Sequence, residues 1–128
     1  VRDARPDNLH LALLVLVLLS DIDHPACGTA FVPGSPAEIA RRLAAGPVDL
    51  TSRPVAQDVY RAVGRHALTQ GRAGDVFLLH PWTVHAAAGG LSGTLRLLAN
   101  PNLPSTEPVY RPGPPRSPVE AIIRDAIG

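Results

Sequence analysis

The stretch Leu11–Leu19 holds nine consecutive apolar residues, Leu-Ala-Leu-Leu-Val-Leu-Val-Leu-Leu, and sets the terms for the rest of the chain. A membrane-spanning helix needs about 20 such residues, so the run is far too short to cross a bilayer. It is also too uniform for a strand with one wet face, which alternates apolar and polar residues. A strand buried on both faces or a buried helix remains. The turn-like segment Asp21–Gly28 and the strand-like runs downstream favour the strand. A secretory leader fits poorly, because Asp21 and Asp23 stand directly after the apolar core. The chain opens on Val1 rather than Met, and it reads as a piece of a longer polypeptide.

Further runs mark the other elements. Thr29–Val32 is strand-like and stops at Pro33-Gly34. Ser35-Pro36-Ala37-Glu38 has the form of a capping box, with Pro at the first helical position, and predicts a helix from Pro36 to about Ala45. Val55, Val59, Val63 and Ala67 recur every four residues and predict a second helix over Pro54–Leu68. Asp75–His80, Thr83–Ala88 and Thr94–Ala99 read as strands, with a bend or bulge at Pro81-Trp82, where Trp82 fills the core or the bulge in preference to lining a pocket. The segment 101–116 is Pro-rich and extended, without regular structure. A second capping box, Ser117–Glu120, opens a third helix with Val119, Ile122, Ile123, Ala126 and Ile127 on one face. Several strands with interspersed amphipathic helices predict a mainly β sandwich or barrel in one domain over 1–128, with helices covering one sheet.

At 128 residues, 45% apolar and with a net charge of +1, the chain is of ordinary globular composition. Its basic residues are scattered, so nothing in the charge pattern calls for nucleic acid. All 12 are Arg and none is Lys, which fits the coding bias of a GC-rich bacterial genome. The single Cys27 excludes an internal disulfide and a cysteine-based zinc site, and makes a reducing cytoplasm the default compartment. No membrane partner is expected.

Of the five His, His10, His24 and His66 have ordinary explanations at an edge, in a turn and on a polar helix face. His80 and His85 stand in an apolar stretch, where an imidazole needs a partner. A hydrogen-bonded core histidine and a metal ligand are both open for them. Arg96 tips the balance. It sits in the apolar run Thr94–Ala99, and no Asp or Glu occurs between Asp75 and Glu107 to neutralise it. A bound carboxylate would satisfy it through a charge-assisted bidentate pair.

The stretch Gly74-Asp-Val-Phe-Leu-Leu-His-Pro-Trp-Thr-Val-His85 through Arg96 to Pro101 resembles the C-terminal core of the phytanoyl-CoA dioxygenase family. In that family a metal-binding His is followed eleven positions later by the Arg that holds 2-oxoglutarate, the spacing of His85 and Arg96. Leu18-Leu19-Ser20-Asp21, Gly28-Thr29 and Val32-Pro33-Gly34-Ser35 resemble the family's upstream strand, loop and turn. The resemblance implies a double-stranded β-helix, or jelly roll, with a partial core over 9–100. It implies iron(II) on a His-X-Asp…His triad, 2-oxoglutarate as cosubstrate, His85 as metal ligand, Arg96 as cosubstrate anchor, and hydroxylation of a small organic or lipid-like molecule. The chain departs from the pattern in three places. No His is followed two positions later by Asp, so the triad would be completed upstream of Val1. Pro36 stands where the family's turn carries His, and Ala87 where a hydroxyl residue is usual. Missing strands would leave open edges, through which homo-oligomers could form. A non-catalytic jelly-roll module that binds a carboxylate or a partner, and a cupin-type isomerase, are the competing expectations.

Overall fold

The computed structural model describes residues 4–90 and 95–128. Over these the chain runs β1 (Leu11–Leu18), β2 (Thr29–Phe31), α1 (Ser35–Ala45), α2 (Arg53–Val63), β3 (Ala67–Leu68), β4 (Val76–Leu79), β5 (His85–Ala87), β6 (Leu98–Ala99), β7 (Asn102–Pro104) and α3 (Pro118–Ile127). The architecture is mixed α/β, with two antiparallel sheets that do not close into a barrel. The first sheet has the order β4-β1-β6, and β7 shares the β6 edge of β1. The second has the order β3-β2-β5. From β3 onward the chain changes sheet at every step to β6. Among the described residues no helix is long and apolar enough to cross a membrane.

β1 is the apolar run, and its two faces have different fates. Leu14, Leu16 and Leu18 stand opposite Leu79, Phe77 and Leu98. On that side Leu18 packs with Ile22, Cys27, Phe77 and Leu98. On the opposite face Val15 pairs with Leu78 and Val17 with Val76. There Val15 is buried, but Leu78 and Val76 are 64% and 53% exposed, and Leu19 beyond the strand end is 57% exposed. The expected burial on both faces thus holds within β1, whose residues are all buried or half-buried, but the Val15 face of the sheet is left open at Leu78, Val76 and Leu19. The helices leave the other uncovered because they pack on each other and around Leu9, Trp82 and Val109 instead.

The helix starts correct two expectations. The Ser35–Glu38 capping box is not made. Gly34 occupies the cap with φ of 91°, a left-handed conformation that favours glycine. The Ser35 hydroxyl is drawn elsewhere: it donates to the Val32 carbonyl at 2.7 Å and accepts from the Val84 amide at 2.9 Å. Glu38 instead bonds Arg42 at 2.8 Å and Arg41 at 3.1 Å, which hold its carboxyl below the usual range. Because Ser35 is fully buried, Ser35→Ala is expected to strand the Val84 N–H and cost about 2 kcal/mol, read by chemical unfolding.

The second helix stops at Val63 rather than Leu68, since Gly64 takes a left-handed φ of 73° and closes it. Ala67 and Leu68 then pair with Phe31 and Ala30 as a strand. Ser52, not foreseen as a cap, accepts from the Val55 amide. In α3 the Ser117 hydroxyl accepts from the Glu120 amide as expected, but the Glu120 carboxylate turns to the Arg116 amide at 2.7 Å. Ile122 leaves the predicted apolar face and is 42% exposed, while Ile123 is fully buried. The strand expected over Thr94–Ala99 is confined to Leu98–Ala99, and Thr94 lies outside the described residues. The Pro-rich segment is not wholly irregular, because β7 pairs with the start of β1.

Candidate functional site

β2 is the central strand of the second sheet, and its ladder with β5 defines the site. Thr29 stands opposite Ala87, and Phe31 opposite His85. Directly paired residues in an antiparallel ladder share a face, and so do residues two apart on one strand. Thr29, Phe31, His85 and Ala87 therefore project to the same side.

His85 is exposed on an edge strand, and its Nδ1 lies 2.9 Å from the Thr83 carbonyl. A carbonyl only accepts, so Nδ1 carries the proton and donates. That leaves the Nε2 lone pair free to bind. A backbone carbonyl fixing one ring nitrogen while the other faces outward is the usual preparation of a metal-binding imidazole.

Arg96 lies just before β6 rather than within a strand, which corrects its expected placement. Its Nη2 donates to the Thr29 hydroxyl at 2.7 Å, across 67 positions of sequence. The guanidinium is thus brought to the His85 face of the second sheet. Its Nε is buried with no hydrogen-bond partner, and no ion pair to Arg96 occurs among the described residues. A half-buried cation with an orphan N–H and no acid beside it is set up for an anion. Thr29 is the residue that sequence reading missed. The hydroxyl that position 87 lacks stands directly across the ladder, on Thr29. The Thr29 amide is itself bonded to the Thr69 hydroxyl at 2.8 Å, which fixes the strand beneath Arg96.

No family model, no curated protein and no solved structure matches this chain.

Of the remaining histidines, His66 shares a cavity lining with His85, while His24 and His80 are engaged elsewhere. His24 accepts from the Ala26 amide in its turn, at 3.2 Å. His66 lies beyond α2, with Nδ1 3.3 Å from the Tyr60 hydroxyl. His80 is buried, accepts the Trp82 amide on Nδ1 at 3.0 Å and faces the Val119 carbonyl through Nε2 at 3.3 Å. It is a core histidine, and burial lowers its pKa to about 4. Trp82 is 4% exposed in the core, as expected. Among the described residues no three His, Cys, Asp or Glu come close enough to hold a metal.

Proposed function

We propose that the chain carries the cosubstrate-binding half of an iron(II)- and 2-oxoglutarate-dependent dioxygenase of jelly-roll fold. The observation that carries this reading is Arg96, a guanidinium with an unpartnered buried Nε, tied by Thr29 to the sheet face that bears His85. The strand arrangement supports the jelly roll. In that fold eight strands form two Greek keys distributed over two sheets, and here β1–β6 are divided between two antiparallel sheets, with a change of sheet at every step from β3 to β6. The free edges of β5 and β6 are where two further strands would add.

The residues fit one part of the cofactor set and not another. Arg96 suits the distal carboxylate of a 2-oxo acid in charge: Thr29 holds its Nη2, and its buried Nε still lacks an acceptor. His85 suits one metal position through Nε2. The His-X-Asp pair is missing from the sequence, so these residues alone do not make an iron site. In a complete enzyme iron, 2-oxoglutarate and dioxygen would together supply oxidative decarboxylation to succinate and carbon dioxide, with one oxygen atom entering succinate and the other a hydroxylated C–H bond. The residues of this chain orient the cosubstrate and hold one imbalanced charge. A carboxylate-binding module without catalysis is the second reading, favoured by that incomplete ligand set.

A titration with 2-oxoglutarate followed by amide NMR tests both readings at once. Saturable shifts around Thr29 and Arg96, lost in Arg96→Ala by a factor of about ten or more, are expected. Equal binding by the variant would sink both readings. Under anaerobic conditions with iron(II), a visible charge-transfer band that disappears in His85→Ala supports the dioxygenase. Carboxylate binding unaffected by iron supports the module.

A further inference from the structure

We propose that the open cavity between α2 and the second sheet binds a small amphipathic anion, a carboxylate on an apolar body. The cavity has a volume of about 420 Å³. That falls within the range, about 300–1,000 Å³, in which small-molecule sites occur. Ala30, Phe31, Val32, Val84 and Ala86 supply its apolar lining from β2, β5 and the residues flanking them. Arg53, Ala56, Gln57 and Tyr60 line it from α2.

Those four α2 positions are spaced i, i+3, i+4, i+7, so they form one stripe along the helix. The core stripe of α2 is a different one: Val59 is fully buried, and Val55 and Val63 pack with it. The helix is therefore amphipathic twice over. Its second stripe walls a cavity, where the sequence alone reads as a solvated face.

The polar groups of the cavity favour negative charge. Among the described residues no Asp or Glu lines it. Arg53 makes no ion pair among the described residues. It sits in the first turn of α2, where the helix dipole also favours an anion. The Gln57 amide, the Tyr60 hydroxyl and the His66 ring add hydrogen-bonding capacity around it. The aliphatic and aromatic lining asks for a ligand with an apolar body. His85 contributes to the lining, but Ala30, Val84 and Ala86 alternate with Phe31 and His85 along their strands and face the opposite side of the sheet. The proposed binding therefore does not rest on the metal assignment of His85.

The probe is 4-phenylbutyrate, with the uncharged 4-phenylbutyramide as control, titrated into the intact chain and followed by NMR. Saturable shifts at Ala56, Tyr60 and Ala86 are expected, with the acid bound at least about fivefold more tightly than the amide. Arg53→Gln, at an exposed position, should abolish that preference, while Arg96→Gln should keep it. No saturation at millimolar concentration overturns the proposal, and so does equal binding of acid and amide. Loss of phenylbutyrate binding in Arg96→Gln overturns it too, because the anion would then sit at Arg96. Failure of 2-oxoglutarate to bind counts only against the dioxygenase reading.

Discussion

Glu120→Ala is expected to destabilise the protein by about 3 kcal/mol. Glu120 is only 4% exposed. Its carboxylate accepts from the Arg116 amide at 2.7 Å and lies 3.6 Å from the Arg111 guanidinium. Arg111 also pairs with the more exposed Glu107, and its Nε is buried without a hydrogen-bond partner. Removing Glu120 would leave that cation with one solvated acid. Loss of one member of a buried pair costs far more than the pair itself contributes, because the other charge stays desolvated. The junction has further ties, since Arg124 donates to the Arg111 carbonyl at 2.9 Å and stacks over Tyr110 at 5.3 Å. Those ties should hold α3 in place while Arg116 and Arg111 lose their acceptor. Glu120→Gln keeps an acceptor for the Arg116 amide and should cost less than Ala. Urea unfolding of the three proteins checks the order; a cost below about 1 kcal/mol for Ala would mean that water already compensates Arg111.

The parts of this fold that were legible in the sequence are those decided locally. The uniform run Leu11–Leu18 becomes the central strand of its sheet, and Ser117 caps α3 with Pro118 in the first turn. Ser35 looked like the same device and is not one. Its hydroxyl is taken by Val84, 49 positions away, a partner that no local pattern announces. Gly64 did carry a readable signal, a glycine after a periodic stretch, yet the valine repeat masked it as far as Ala67. The site shows the same division. The charge of Arg96, without an acid for many residues on either side, was visible in the sequence. Thr29 was not, because its role depends on a ladder that pairs it with Ala87 and on a contact 67 positions long. The cavity stripe on α2 was hidden for a related reason. Arg53, Gln57 and Tyr60 are what a solvated helix face carries, and only the sheet opposite makes them a wall.

Acidification is expected to destabilise the chain through His80, by about 3 kcal/mol between pH 6.5 and pH 4. Burial pushes its pKa down from 6.5 to about 4. The hydrogen bonds explain why the fold resists the second proton. Nδ1 already accepts from the Trp82 amide, and Nε2 faces the Val119 carbonyl, which can only accept. The neutral ring with the proton on Nε2 satisfies both contacts. A proton on Nδ1 would face the Trp82 N–H and remove an acceptor from a buried amide. The unfolded chain has no such constraint and takes up the proton near pH 6.5. Between the two values the unfolded state binds more protons, so stability rises with pH across this window and is fully present above about 6.5. Because Val119 belongs to α3, the helix contact should loosen first, with faster exchange of the α3 amides at pH 5 than at pH 7.5. His80→Gln removes the titration while keeping a neutral polar side chain. The variant should be less stable than the parent at pH 7.5 and lose less on going to pH 4.5. An identical loss in both proteins would place the acid sensitivity in the carboxylates and not in this imidazole.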